Sequence, residues 1–299
     1  MNPDQLLEYI REWGGRFETR LAELLESLEK RVQGLQRGLW REIVEALTEI
    51  FGNDGEKLNK GAKNISASLA KLERLLDGFE GDRIAEELRL FAAELLEVGG
   101  LTVEYYEAID RRAKVRAIEK SLSLLRAVIG MDETGALLAD GYLYRLGKTE
   151  AVRVALRSYV VNAIVEGRSL TDFKAGFRDL IVGNRDTEGA LQGYWRQYAY
   201  DTYNQAHEVV NGSMADELNL RYFIYQGSII KTSRKFCIKR AGKVFSREET
   251  KTWKNDPDLI EPKTKDQYNP IIERGRYNCR HFLTWISDEL AEQMKKQNA

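Results

Sequence analysis

Apolar residues in the first fifty positions recur with the spacing of an α-helix. Thirteen of them, from Leu6 to Ile50, span 44 positions in 12 steps, a mean of about 3.67 residues per step. This spacing predicts one nearly straight helix with a single apolar stripe. Gly14 and Gly15 are candidate breaks, because glycine costs about 1 kcal/mol relative to alanine inside a helix. The stripe is either internal core or a face that binds a partner, and its length and position near the N-terminus favour the partner.

Glycine-rich turn signals divide the chain from residue 52 to residue 218 into further helices. They lie at 52–55, 78–82, 99–100, 130–135 and 183–186. Helices are therefore predicted over residues 56–76, 82–98, 103–128, 149–166, 170–181 and 187–218. Ser169 or Thr171 offers an N-cap oxygen to the fifth of these helices, and Asp186 offers one to the sixth.

After residue 219 the pattern changes to short β-like runs at 222–230, 243–246 and 281–286. Ser246 and Glu249 have the spacing of a capping box, which predicts a short helix that carries Trp253. The predicted fold is mainly α, with an elongated multi-helix N-terminal region followed by a small α+β C-terminal module. The predicted domains are a helical docking and assembly region (1–220), a small basic module (221–290) and a charged tail (291–299).

Composition and charge indicate a soluble globular protein with two dissimilar parts. Of its 299 residues, 43% are apolar and 31% are charged. Residues 1–225 carry 30 basic and 37 acidic side chains, whereas residues 226–299 carry 16 and 10. No apolar run approaches the length of a membrane span, and the first residues are too charged for a signal peptide. Two cysteines form no disulfide framework, which favours folding in a reducing compartment.

The segment 226–247 is the most basic part of the chain and contains no acidic residue. Its seven cations are candidates for binding phosphates or an acidic partner: Lys231, Arg234, Lys235, Lys239, Arg240, Lys243 and Arg247. Aromatic residues interleave with these charges, as they do in nucleic-acid contacts: Tyr225, Phe236, Phe245 and Tyr277. An ordinary solvated face is the alternative.

Arg234 and Arg280 flank the cysteine region, where a guanidinium can hold a phosphate or carboxylate in a bidentate fork. Internal salt bridges are the favoured interpretation, with three candidate carboxylates at Glu249, Asp256 and Glu273.

The chain has two cysteines and two histidines: Cys237, Cys279, His207 and His281. In principle these four supply the ligands of a Zn²⁺ site, and Cys279 and His281 have a Cys-x-His spacing that places both on one side of a strand. However, 41 residues separate the cysteines. The favoured interpretation is a pair of small buried residues that join two halves of the module. A metal site, a disulfide and a Cys–His nucleophile pair stay open, and no cofactor other than Zn²⁺ is considered.

Two further signals argue against a base-stacking or catalytic role. Aromatic residues in the helix predicted at 187–218 have helical spacing and are interpreted as packing: Tyr194, Trp195, Tyr198, Tyr200 and Tyr203. The sequence contains no phosphate-binding loop, no Gly-x-Ser-x-Gly elbow and no His-Glu-x-x-His motif. The chain is therefore not expected to be an enzyme.

The order of residues in the C-terminal part resembles the phage Mu F-like head morphogenesis family, also called minor head proteins. The similarity covers about residues 169–287 and is sharpest over 225–286. The similarity is carried by eight motif residues: Gly227, Arg234, Cys237, Gly242, Trp253, Cys279, Arg280 and His281. Further matching positions are Tyr225, Thr232, Ser233, Phe236, Phe245, Glu249 and Tyr277. Many relatives have a second cysteine at the position of His281.

The resemblance implies a low-copy virion component that is made in the host cytoplasm and lies inside the head or at the portal vertex. It implies a role in head assembly and capsid morphogenesis, with DNA packaging or ejection as further roles. Expected partners are portal or inner capsid proteins, packaged DNA bound without sequence preference, and other copies through the N-terminal helices, with no membrane. The alternatives are a particle-delivered enzyme or toxin-like effector that uses Cys237 and His281, and a non-specific DNA-binding protein.

Overall fold

The computed structural model describes residues 2–51, 57–58, 62–110, 113, 115–260 and 267–297. The helices are α1 (Pro3–Phe51), α2 (Ala62–Gly78), α3 (Ala85–Ile109), α4 (Val115–Ile129), α5 (Tyr142–Gly147), α6 (Glu150–Glu166), α7 (Leu170–Ile181), α8 (Ala190–Glu217), α9 (Lys235–Ile238), α10 (Pro270–Glu273) and α11 (Asp288–Gln297). The strands are β1 (Tyr222–Gln226), β2 (Val244–Ser246) and β3 (Phe282–Ile286). The predicted fold class, mainly helical with a small C-terminal sheet, is confirmed.

The first helix runs without a break, so the predicted interruption at Gly14 and Gly15 is wrong. A Cβ atom on Gly14 would lie 2.9 Å from Oε1 of Gln226, so this glycine permits close packing against β1. Most of the apolar stripe of α1 is buried within the chain. Of the two interpretations of this stripe, internal core is therefore confirmed.

The chain divides into two compact units. Unit 1 comprises residues 1–24, 93–136 and 200–299, and unit 2 comprises residues 25–92 and 137–199. These boundaries do not follow the division predicted at residues 220 and 290, because each unit is assembled from segments that are distant in sequence. The docking and DNA-binding roles predicted for the two regions stay predictions.

Several predicted turns lie inside helices. The signal at 78–82 falls in a π-helical segment, Phe79–Ile84, that connects α2 to α3. Gly99 and Gly100 lie within α3, and a Cβ atom on Gly99 would approach Cδ2 of Leu125 to 2.7 Å. Gly99 therefore serves the close packing of α3 on α4 rather than a turn. The signal at 52–55 lies outside the described residues.

Other boundary predictions are partly correct. Ser169 is the N-cap of α7, where its side chain accepts the N–H of Asp172. Asp186 does not cap α8, which begins four residues later at Ala190. The predicted helix at 103–128 is divided between the end of α3 and the whole of α4.

The sheet is antiparallel, with strand order β2-β1-β3. Its register pairs Phe223 with Phe245 on one side and Tyr225 with Leu283 on the other. The rings of Trp13 and Phe17 contact Phe282, so α1 covers part of the sheet in unit 1. The hydrophobic core beside the C-terminal sheet therefore includes residues of α1, and the C-terminal segment does not supply this core alone.

The predicted capping box is confirmed. The N–H of Ser246 donates to the carboxylate of Glu249, and the N–H of Glu249 donates to the hydroxyl of Ser246. It opens a 3-10 helix, Glu249–Asn255, that carries Trp253. Among the described helices, none combines the length and the hydropathy that a membrane span requires.

Candidate functional site

Two thiols, one imidazole and one phenol meet inside unit 1. Cys237 lies in the short helix α9, Cys279 and His281 lie on the segment that enters β3, and Tyr225 lies in β1. The Sγ atoms of Cys237 and Cys279 are 3.7 Å apart. Nδ1 of His281 is 3.9 Å from Sγ of Cys279. The fold therefore brings together two cysteines that are 42 positions apart in the chain. We call Cys237, Cys279, His281 and Tyr225 the thiol cluster.

The phenol of Tyr225 contacts both sulfurs. Its Oη atom donates to Sγ of Cys237 at 3.4 Å and lies 3.6 Å from Sγ of Cys279. Its ring stacks on the His281 imidazole, with centroids 5.1 Å apart. Cys237, Cys279 and His281 are only 2%, 4% and 2% exposed. A macromolecular substrate cannot reach sulfurs buried to this degree, which argues against the Cys237–His281 effector mechanism.

Two glycines permit the backbone to approach the thiol cluster. Gly227 has φ of 126°, and a Cβ atom there would lie 2.7 Å from Cα of His281. A Cβ atom on Gly275 would lie 2.4 Å from Sγ of Cys237. Because no larger residue fits at such distances without a shift, both positions depend on glycine. Gly227 is one of the predicted motif residues, whereas Gly275 was not singled out from the sequence.

Arg234 binds the backbone segment that precedes Cys279. Its guanidinium donates to the carbonyl oxygens of Gly275 at 2.8 Å and Tyr277 at 2.6 Å. The internal role favoured for Arg234 is therefore observed, although its partners are backbone carbonyls rather than the predicted carboxylates. Arg280 is exposed, and its role stays a prediction.

The contact between the two sulfurs shifts the pKa values of the two thiols in opposite directions. The hydrogen bond with Cys237 lowers the pKa of Cys279 well below its usual range, and the contact with His281 and the Arg274 charge act in the same direction. The same hydrogen bond, together with burial, raises the pKa of Cys237. Burial also raises the pKa of Tyr225, which keeps its hydroxyl protonated as a donor. The thiol cluster therefore favours one thiolate at Cys279.

A buried ion pair supports the cluster, and the sequence analysis did not find it. Nη1 of Arg274 lies 2.6 Å from Oε1 of Glu208, and both side chains are buried. Oε1 of Glu208 also accepts the N–H of Leu283, and Oε2 accepts an N–H of Asn211. Tyr106 donates to Asn211, so this network connects α3 and α8 to β3. Burial raises the pKa of Glu208, and the Arg274 charge opposes that rise.

His207 lies outside the thiol cluster. Its Nδ1 atom is 2.8 Å from the Thr102 hydroxyl, and its ring packs on Phe17 and Phe282. Burial lowers the pKa of His207 to about 3, with a smaller contribution from Arg274. His207 is therefore a neutral core residue and does not complete the four-ligand set considered from the sequence.

Four of the seven cations in the basic segment are engaged internally. Besides Arg234, these are Lys239, which pairs with Asp258, Arg240, which pairs with Asp256, and Arg247, which pairs with Asp216. Arg240 is buried and also lies over the Phe236 ring, 3.7 Å from its centroid. Exposed side chains without a carboxylate partner among the described residues are Lys231, Lys235 and Lys243. These three have no such ion pair, whereas Lys239 and Arg247 stay partly exposed beside their carboxylates.

Most of the interleaved aromatic residues are also internal. Tyr225 and Phe236 are buried, and the Phe245 ring packs on Trp253. Tyr277 is 55% exposed and is the remaining candidate for stacking. In the helix α8, Trp195 and Tyr203 are buried, which agrees with the interpretation of that aromatic stripe as packing. Tyr198 of the same stripe is partly exposed.

Trp253 is the centre of the small module. Its ring contacts four aromatic side chains, Phe223, Tyr225, Phe236 and Phe245. Gly242 has φ of 75°, a conformation that glycine adopts without strain. The motif residues other than Arg280 therefore occupy positions with a definite structural requirement.

No protein-family model, no curated protein and no solved structure matches the chain. The resemblance to the Mu F-like family therefore stays a prediction that rests on the order of motif residues.

Proposed function

We propose that the protein is a phage minor head protein that acts in head assembly near the portal. The observation that carries this proposal is the shared location of the motif residues. Gly227, Arg234, Cys237, Trp253 and Cys279 lie around one thiol cluster and one aromatic centre. A motif whose members pack on one another is a signature of a folded module, which supports the resemblance.

The docking surface in this proposal is the segment 229–238 rather than the apolar stripe of α1, which is buried. Three isoleucines of the segment are exposed, Ile229, Ile230 and Ile238. The same segment contains the exposed Lys231 and Lys235. Apolar side chains among unpaired cations are typical of a protein interface with an acidic partner. We therefore assign this segment to an acidic surface on a portal or inner capsid protein.

The test compares particle incorporation of two charge-reversal variants. One changes Lys231 and Lys235 to Glu. The control changes Lys30 and Lys251 to Glu, because their ion pairs are mostly exposed and contribute little to stability. Each variant complements a deletion in the phage or prophage that carries the gene, and mass spectrometry measures the chain in purified DNA-filled particles.

We expect wild type and the control variant in the particles and at least a tenfold loss for the first variant, as charge reversal at an interface opposes binding. Absence of the wild-type chain from purified particles would sink the proposal. Incorporation of the first variant at the wild-type level would remove the assigned surface. Retained incorporation with lost, salt-sensitive DNA binding would assign the lysines to DNA instead.

A further inference from the structure

We infer that Cys237, Cys279 and His281 bind one Zn²⁺ ion, with the Tyr225 hydroxyl at the fourth corner of the site. This inference concerns the stability of unit 1 and does not depend on the proposed function. The three ligand atoms lie within 4.8 Å of one another. Two thiolates and an imidazole are a ligand set that Zn²⁺ prefers over the oxygen-seeking cations.

The distances between the ligand atoms fit a tetrahedral site. Bonds of about 2.3 Å to sulfur and about 2.0–2.1 Å to nitrogen place two sulfurs about 3.8 Å apart, and sulfur and nitrogen about 3.6 Å apart. The two Sγ atoms are 3.7 Å apart, and Sγ of Cys279 is 3.9 Å from Nδ1 of His281. The remaining edge, from Sγ of Cys237 to the imidazole nitrogen of His281, lies within 4.8 Å, so the imidazole must move toward Cys237 by up to about 1 Å to complete the tetrahedral geometry.

The His281 imidazole presents Nδ1, rather than Nε2, to the thiol cluster. The side chain is 2% exposed, and its Nε2 atom has no hydrogen-bond partner among the residues that the structure describes. Its Nδ1 atom has only the long contact with Sγ of Cys279. An ion inside the thiol cluster gives Nδ1 a stronger partner than this long contact, and it leaves the environment of Nε2 unchanged.

Charge balance also favours a divalent ion. Two thiolates neutralise Zn²⁺, and a ligating imidazole is neutral, so the occupied site adds no net charge to the core. The nearby Arg274 already has its counterion in Glu208.

The backbone around the sulfurs is arranged for close approach. Arg274, Arg276 and Asn278 have positive φ values of 46°, 72° and 53°, an uncommon conformation for residues other than glycine. Gly275 lies between the first two and passes against both sulfurs. Strained backbone persists where the surroundings impose it and often at ligand sites. The hydrogen bonds from Arg234 to the carbonyls of Gly275 and Tyr277 hold this segment in place. Hydrogen bonds of this kind orient the ligands of a metal site.

Tyr225 closes the site. In a tetrahedron with an oxygen ligand at about 2.0 Å, sulfur and oxygen lie about 3.5 Å apart. The observed distances from Oη of Tyr225 to the two sulfurs are 3.4 and 3.6 Å. As a neutral hydroxyl, Tyr225 is a weaker ligand than a thiolate or an imidazole, and it closes the fourth corner that a catalytic site leaves open to water or substrate.

A small cleft gives the ion a route to the site. It has a volume of about 90 Å³ and is bordered by Cys279 together with Asp201, Asn204, Arg276 and Tyr277. Asp201 accepts the N–H of Asn278, next to the ligating cysteine. An entry path and a suitable ligand set are two of the conditions that a metal site must meet.

The experiment measures Zn²⁺ in the full-length chain purified under reducing conditions. We expect about one ion per chain by elemental analysis, and a thiolate-to-metal charge-transfer band when Co²⁺ replaces it. His281→Asn and Cys279→Ser are expected to lose at least tenfold in Zn²⁺ affinity. His207→Asn is the matched control, since it removes a buried imidazole outside the cluster and should retain the ion. Circular dichroism verifies the fold of each variant.

A second measurement uses the wild-type chain alone. Zn²⁺ should slow the reaction of Cys237 and Cys279 with a thiol reagent, and a chelator should restore the rate and lower the melting temperature. Tyr225→Phe is expected to keep the stoichiometry and lose the ion faster to a chelator. A reduced, folded chain that takes up no Zn²⁺ from a buffered excess, or that binds it equally well as His281→Asn, overturns the inference. If a chain that takes up no Zn²⁺ forms a Cys237–Cys279 disulfide once the reductant is replaced by an oxidant, the inference is also overturned and the pair is assigned to redox chemistry.

Discussion

Removing the guanidinium of Arg274 should destabilise unit 1 more than any loss of a surface ion pair. Arg274→Met keeps most of the side-chain volume and leaves the Glu208 carboxylate buried without its counterion. That carboxylate retains the N–H groups of Leu283 and Asn211, so its hydrogen bonding is only partly lost. Breaking a buried ion pair by removing one partner costs about 3–5 kcal/mol. We expect a cost in that range near neutral pH.

The cost should depend on pH in a defined direction. Burial raises the pKa of Glu208 above its ordinary value of 4.5, and Arg274 restrains that rise. In Arg274→Met the folded-state pKa therefore rises further. A group with a raised folded-state pKa contributes stability that is fully present below its unfolded pKa and is lost as pH rises through its folded pKa. The variant should thus lose more stability, relative to wild type, at pH 8 than at pH 5.

Urea denaturation at several pH values gives the free energy of unfolding, and hydrogen exchange of the β3 peptide gives a local measure. The matched control is Arg221→Met, because the Arg221–Asp288 pair is largely exposed and should contribute less than about 1 kcal/mol. The double variant Glu208→Gln/Arg274→Met removes both charges of the pair. Its loss of stability should be about 2–3 kcal/mol smaller than the sum of the losses in the two single variants.

Two results would contradict this expectation. In the first, Arg274→Met lowers the free energy of unfolding no more than Arg221→Met does; in the second, it lowers that free energy equally at pH 5 and pH 8. Either result would mean that the Glu208 carboxylate is not a buried charge dependent on Arg274. Exchange at β3 that is no faster than in wild type would contradict the role of this network in holding the sheet.

Two further predictions concern backbone positions. Gly99→Ala places a Cβ atom 2.7 Å from Leu125 and should cost about 1–3 kcal/mol through overpacking. As the control, Gly100→Ala places a Cβ atom that meets no atom within 4 Å in the described part of the chain, and it should increase stability by up to about 1 kcal/mol. Equal urea midpoints for the two variants would contradict the packing role of Gly99. Ser246→Ala removes the acceptor of the Glu249 N–H and should cost about 0.5–2 kcal/mol, whereas Ser246→Thr should restore most of it, as thermal denaturation can show.

Local patterns predicted the elements whose stability is local. The spacing of apolar residues predicted α1, and the capping box predicted the helical turn at Trp253, because both depend on residues within a few positions of one another. The strands β1, β2 and β3 were predicted within four residues at each end. Glycines were misread at positions 14 and 99, since a helix break or turn and a close packing contact have the same sequence signature.

What the sequence alone determined is therefore the helical character, the position of the small sheet and the residue types available for chemistry. The tertiary structure alone decided which of those residues meet. It brought Cys237 within 3.7 Å of Cys279, paired Glu208 with Arg274, and engaged four of the seven basic residues internally. These contacts join residues far apart in the chain, and their energy depends on burial and on the partner, neither of which a single position records.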